Sequence, residues 1–351
     1  MRTQNIEMVY PTATDVLSTE QLKETWLRSE TVQFGDPVLA HCSLPLEGTF
    51  YPLGFPVTVV TNSADVLNAA EQSWGKFILS FSTTPIRLEI AVTAADSRLC
   101  PPTPSCRIRG PLMINVADGE NFAACDFERR TATMFVTDAA VAHQEYFRYF
   151  YLEAAAMSLL SNSYLTGIHA GCVALDGQAV LLCGDSGAGK STLSYAAARA
   201  GWTYVTDDGS YLVPDRDELL VVGNCSVIRF RPTAEELFPE LRGLPVMQRA
   251  GVGKPSVELW HGVEESFTVS RTARPKHVVF LKRNVEVQEL AAFPRAVARL
   301  SMQQCAYCAP YDLERHMVMI DRLLQGGAYE LRYNDLDWAI ERLTQLVREG
   351  S

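Results

Sequence analysis

Residues 184–192 read Gly-Asp-Ser-Gly-Ala-Gly-Lys-Ser-Thr, a match to G-x-x-x-x-G-K-[ST]. The segment follows the apolar run Ala-Val-Leu-Leu-Cys at 179–183 and leads into helix-forming residues 191–200. Strand, glycine-rich turn and helix in that order mark a nucleotide-binding α/β core. The glycines let backbone N–H groups converge on phosphate oxygens, and the helix N-terminus adds a partial positive charge. The motif therefore assigns a phosphate cradle to Gly184, Asp185, Ser186, Gly187, Ala188, Gly189, Lys190, Ser191 and Thr192. Within it Lys190 is expected to reach the β- and γ-phosphates and Ser191 to hold Mg²⁺.

Two further features bracket the loop. The run Trp-Thr-Tyr-Val-Thr at 202–206 ends on Asp207 and Asp208, which places both acids at the carboxyl edge of a strand, where α/β ligand sites lie. One carboxylate suits Mg²⁺ and the other suits the proton of an attacking hydroxyl, although Asp-Asp-Gly is also good turn chemistry. His169 sits in Thr-Gly-Ile-His-Ala-Gly, just ahead of the strand-like run at 171–175. A lone His between apolar neighbours reads equally as a structural residue.

In this order, His169, the loop and Asp207-Asp208 resemble the kinase domain of HPr kinase/phosphorylase, over residues 168–212. The resemblance implies an α/β fold with a P-loop kinase core of the HPr kinase/PEP carboxykinase-like type, using ATP and Mg²⁺. It implies that His169 and Asp207 support proton transfer from the acceptor hydroxyl, that Lys190 holds phosphate, and that Ser191 with Asp208 holds the metal. A later family segment resembling Glu-Val-Arg-Gly-Leu-Gly has no counterpart between 222 and 263, so phosphorylase activity and HPr as substrate do not carry over. The chain is more similar to the divergent HPr kinase-like proteins, whose acceptors include serines of small modified peptides.

The expected function is thus an ATP-dependent kinase acting on a hydroxyl, serine foremost, of a protein, peptide or small molecule. The alternative is a P-loop ATPase or nucleotide-dependent switch with no phosphoryl acceptor. No Asn-Lys-x-Asp stretch supports guanine. Arg229, Arg231, Arg249 and Lys254 are candidates to neutralise charge on the transferring group.

At 351 residues the chain is long enough for two domains. We expect an N-terminal α+β domain at 1–138, a linking helix at 139–165, and the P-loop domain at 166–351. Short strands are expected at 57–60, 86–92, 112–116, 122–125 and 131–136, with a helix at 64–74. Residues 139–161 lack Gly and Pro and read as one long buried helix. Prolines and glycines across 230–263 predict long loops beside the site. The N-terminal half is left to recognise the acceptor or to form a homo-oligomer.

A formal net charge of −10 disfavours nucleic acid as a partner. No apolar run approaches the ~20 residues that span a bilayer, and the polar start from Met1 to Asn5 lacks a secretory signal, so a cytoplasmic protein is expected. Nine cysteines at irregular spacing fit reduced thiols rather than a disulfide framework. The lone Cys305-x-x-Cys308 reads as free thiols rather than a zinc site, and His143 and His277 read as structural.

Overall fold

The computed structural model describes residues 18, 20, 23, 43–215, 218–247, 255–260, 267–283, 285–307 and 312–349. The expectations for Arg249, Lys254 and Cys308 fall outside them. The fold is mixed α/β, with three sheets among the described residues.

The first sheet takes its strands from β1 (Leu46–Phe50), β2 (Val57–Thr61), β3 (Ile86–Thr93), β4 (Ser105–Arg109), β5 (Leu112–Val116), β6 (Phe122–Asp126) and β7 (Thr131–Thr137). Their order is β1-β2-β3-β7-β6-β5-β4, with β2–β3 and β3–β7 parallel. Helix α1 (Ala64–Trp74) makes the crossover between β2 and β3 and buries Val66, Ala69, Ala70 and Trp74, the i, i+3, i+4 stripe of a helix lying on a sheet. Strand β5 alternates in the same sense. Met113 and Asn115 point inward while Leu112, Ile114 and Val116 face out.

The segment expected as one helix is broken into α2 (Asp138–Ala142), α3 (Gln144–Phe147), a π-helical stretch Arg148–Glu153, and α4 (Ala154–Ser163). His143 departs from helical geometry at φ −81°, ψ 71°, and its Nε2 reaches the Arg98 carbonyl at 3.2 Å. The wide turn brings Arg148 and Glu153 onto one hydroxyl of α1. Arg148 Nε donates to Ser73 Oγ at 2.7 Å, and Ser73 Oγ donates to Glu153 Oε1 at 2.8 Å. Tertiary hydrogen bonding has overridden a sequence with uniform helix propensity.

The second sheet begins with β8 (Thr166–His169), β9 (Gly171–Leu175), β10 (Gln178–Cys183), β11 (Thr203–Thr206), β12 (Gly209–Asp215) and β13 (Glu218–Gly223). The chain then forms a small three-stranded sheet of β14 (Val227–Phe230), β15 (Val246–Met247) and β16 (Ser256–Trp260). It returns to the large sheet through β17 (Thr272–Arg283), β18 (Glu289–Ala292), β19 (Ala306–Tyr307) and β20 (Ala328–Tyr333). The large sheet runs β11-β9-β10-β17-β13-β12-β8-β19, with β20 on β17 and β18 on β20. Among its described strands, β10–β17 and β17–β20 pair in parallel.

Helices cover both faces of that sheet: α5 (Lys190–Arg199), α6 (Arg295–Cys305), α7 (Leu313–Leu323) and α8 (Leu336–Glu349). This explains why β10 is apolar from Ala179 to Cys183 rather than alternating. Leu181 and Cys183 pack with Met302 of α6 and Ile320 of α7, while Val180 and Leu182 pack with Leu193 of α5 and Leu343 of α8. Val213 and Val222 of the second sheet join the core beneath the first, against Leu152 and Leu165.

Among the described residues of 230–263, a long connection with two 3₁₀ turns joins β14 to β15, and both strands pair with β16 in the small sheet. Phe230 pairs with Val257, and Tyr195 of α5 meets the rings of Phe230 and Phe238 edge-on at 5.2 and 4.8 Å. That aromatic cluster fastens the small sheet to α5 despite its prolines and glycines. Among the described residues no helix is long and apolar enough to cross a membrane.

Candidate functional site

The loop expected to cradle phosphate connects the buried end of β10 to the start of α5. Two of its glycines are required by close approach as well as by dihedral angle. Gly184 has φ 147°, and a Cβ there would lie 2.9 Å from Ala188 Cβ and 3.2 Å from the Leu281 carbonyl. Gly189 has φ 99°, and a Cβ there would meet Tyr333 Oη at 2.5 Å and Arg283 Cδ at 2.7 Å. The carboxyl ends of β17 and β20 thus press directly against the loop.

Lys190 opens α5, and its Nζ folds back over the loop, donating to the Gly184 carbonyl at 2.8 Å and the Asp185 carbonyl at 3.4 Å. The side chain is buried. Desolvation pulls its ammonium pKa down, with Asp208 the first of the acids that oppose the shift.

Strand β11 delivers Asp207 and Asp208 on opposite sides of the chain. Asp207 is only 4% exposed; Oδ1 accepts from Tyr204 Oη at 3.0 Å and Oδ2 from the Arg229 backbone N–H at 3.2 Å. It also hydrogen-bonds the Ser191 side chain. Burial pushes its carboxyl pKa up, and the Ser191 contact is the leading effect in the other direction.

Asp208 turns the other way. Its side chain is 60% exposed, and Oδ1 lies 3.1 Å from His169 Nδ1. That hydrogen bond holds the carboxyl below its ordinary range, against the upward pull of partial burial. Backbone register explains the meeting, since Gly209 of β12 pairs directly with His169 of β8. The resemblance set His169 with Asp207 and Ser191 with Asp208; the structure pairs His169 with Asp208 and Ser191 with Asp207.

His169 Nδ1 has a second partner that the sequence did not reveal, the Tyr307 hydroxyl at 2.8 Å. Tyr307 reaches it because β19 pairs with β8, opposite Gly167. A Cβ at Gly167 would already be 3.0 Å from the Tyr307 ring. Hidden inside Cys305-x-x-Cys308, Tyr307 was read only as spacing between thiols.

Of the candidate cations, Arg229 stands beside Asp207 through its backbone, and its Nε is bound to Glu258 Oε1 at 2.9 Å. Arg231 is exposed at the start of the 3₁₀ turn Pro232–Glu236. Arg283, which flanks Gly189, was not among the expected residues. His277 is buried, its Nδ1 2.8 Å from the Gly326 carbonyl, and burial lowers its pKa. Among the described residues no three or more His, Cys, Asp and Glu side chains cluster as metal ligands.

No family model matches the chain, and no curated protein matches it. Among solved structures it is similar to the Hpr(Ser) kinase/phosphatase from Coxiella burnetii, with 15% identity and a TM-score of 0.27 over 52% of this chain and 99% of that one.

Proposed function

We propose that the chain is an ATP- and Mg²⁺-dependent kinase that phosphorylates a hydroxyl, with a P-loop core of the HPr kinase/PEP carboxykinase-like type. The observation that carries this reading is the division of the two acids. A shielded carboxylate sits on the loop serine, and an accessible one sits on a histidine.

The residues present fit both groups. Backbone N–H groups of residues 184–190 and the Lys190 ammonium suit the β- and γ-phosphates, with the N-terminus of α5 adding its dipole. Mg²⁺ held with phosphates takes one or two protein ligands rather than a cage, and Ser191 with Asp207 supplies them. Bound there, the metal would neutralise negative charge on the phosphates. The Tyr204 and Arg229 donors fix the direction of the Asp207 carboxyl and oppose the pKa rise that burial causes.

Asp208 then serves as the proton acceptor. As the acceptor oxygen bonds to the γ-phosphorus, its O–H bond breaks and the proton passes to Asp208. The bond from the γ-phosphorus to the β-bridging oxygen breaks with its electron pair on ADP. His169 hydrogen-bonds the base and orients it. Among the described candidates Arg229 is tied to Glu258, and Lys190, in the loop itself, is the cation we assign to the transferring group.

The exposure of Asp208 also favours a second reading, because an open base can activate water and make the protein an ATPase. Incubation with γ-labelled ATP, Mg²⁺ and a cell extract separates the two. Label on an acceptor that disappears in Asp208→Asn supports the kinase; label found only as free phosphate supports the ATPase.

A further inference from the structure

A cleft of about 430 Å³ is lined in part by Tyr307 and shares that residue with the site. One wall is a single face of α4, made of Ala154, Met157, Ser158, Ser161 and Asn162. These stand at i, i+3, i+4, i+7 and i+8, while the opposite face, Ala155, Ala156, Leu159 and Leu160, is buried in the first core. The helix therefore turns a mixed, hydroxyl-bearing face to the cleft and its wholly apolar face to the protein.

The facing wall comes from the second sheet. The rings of Tyr211 of β12 and Tyr307 of β19 both close on the bare backbone of Gly167, within 3.2 Å of where a Cβ would stand. The Tyr307 hydroxyl and Asp208 Oδ1 meet at one nitrogen, His169 Nδ1. The cleft thus ends on the hydrogen-bonded chain that carries the proposed base. Ile108 of β4 and Phe127, just after β6, close the side contributed by the first sheet. Among the described residues, no lining side chain carries a carboxylate, ammonium or guanidinium. Burial raises the pKa of both tyrosines, so their hydroxyls remain neutral.

We propose that this cleft receives the phosphoryl acceptor, and that the acceptor is an uncharged small molecule bearing a hydroxyl on an apolar or aromatic body. The proposal rests on the kinase reading. The volume is that of a small-ligand pocket, and a lining without charge offers nothing to repay desolvation of an anionic or cationic acceptor. The hydroxyl enters at the Tyr307 end, its proton passes to Asp208, and its oxygen takes the γ-phosphoryl group as ADP leaves.

The test uses phenyl β-D-glucoside and 2-phenylethanol as neutral probes and 3-phosphoglycerate as an anionic one, with binding followed by saturation-transfer NMR. Wild-type protein is compared with Ser158→Trp, which fills the cleft from α4, and Met157→Trp is a second filling variant should the first not fold. Retained MgATP affinity certifies each variant as folded. We expect a neutral probe to bind and the filling variant to weaken it at least tenfold, with MgATP binding unchanged. Preference for the phosphoglycerate, no binding of either neutral probe, or equal binding by the filled variant overturns the proposal. The kinase reading fails separately. Neutral-probe binding that Ser158→Trp abolishes, with no transfer from ATP to any hydroxyl, removes the kinase. Transfer at equal rates in wild type and Ser158→Trp leaves the kinase and removes the cleft.

Discussion

Ser191 and His169 each claim a different one of two consecutive aspartates: Ser191 hydrogen-bonds buried Asp207, and His169 Nδ1 lies 3.1 Å from exposed Asp208. Neighbouring side chains on an extended backbone point to opposite faces, so one dipeptide at a strand end can serve two chemistries. Burial then separates the pair, raising one carboxyl and leaving the other to be lowered by its histidine. Two titratable groups pushed apart by their surroundings are the usual arrangement of an acid–base and metal site.

That separation has a pH consequence. Asp207 has a folded pKa above its unfolded value, so its contribution favours folding below the unfolded pKa and is lost as pH rises through the folded one. Asp208 is the reverse: its contribution is present above the unfolded pKa and is lost as pH falls through the depressed folded value. Tyr204→Phe removes a donor to Asp207 and raises its pKa further. We expect the acid limb of the kcat/KM profile to move to higher pH in that variant, with the alkaline limb unchanged. An unmoved acid limb would detach Asp207 from the ionisation that activity requires.

Lys190 sets function against stability. Its buried ammonium is maintained at a desolvation cost, visible in its lowered pKa. Lys190→Met should weaken MgATP binding by roughly 10- to 100-fold, the loss of a charge-assisted contact. The melting temperature should stay level or rise, because the apolar stem is kept and the buried charge removed. Calorimetric titration and a thermal melt on the same sample check both halves.

Gly189→Ala tests the seat of the loop. At φ 99° a Cβ is strained, and the atoms it would meet are Tyr333 Oη and Arg283 Cδ. The variant should lose about 1–3 kcal/mol of stability by denaturant unfolding and most of its nucleotide affinity. Gly187→Ala, with open space around its Cβ position, meets only the dihedral strain of φ 92° and should lose less affinity.

The glycine loop was legible because its pattern fixes Gly184, Gly189, Lys190 and Ser191 at set spacing, and β10 ahead of it because an unbroken apolar run needs cover on two faces. The two aspartates were legible as a strand end, but their partners were not. Which acid meets His169 is fixed by the pairing of Gly209 with His169, a register between strands 40 residues apart that no local pattern records. Tyr307 was hidden for the same reason, since β19 is two residues long and gains its meaning only against β8. The break at His143 and the small sheet around Phe230 come from side-chain contacts made across the fold, which override uniform helix propensity in one case and a run of prolines in the other.

The most direct measurement is a single-turnover experiment with γ-labelled ATP, an extract containing the acceptor, and a Mg²⁺ titration, run on wild type, Asp207→Asn and Asp208→Asn. Asp208→Asn should bind MgATP normally and transfer phosphoryl about 10²- to 10⁴-fold more slowly, the loss of a general base. Asp207→Asn should instead need far more Mg²⁺ for any turnover. Transfer by Asp208→Asn at the wild-type rate, or a raised Mg²⁺ requirement in Asp208→Asn rather than in Asp207→Asn, would contradict the division of labour between the two acids.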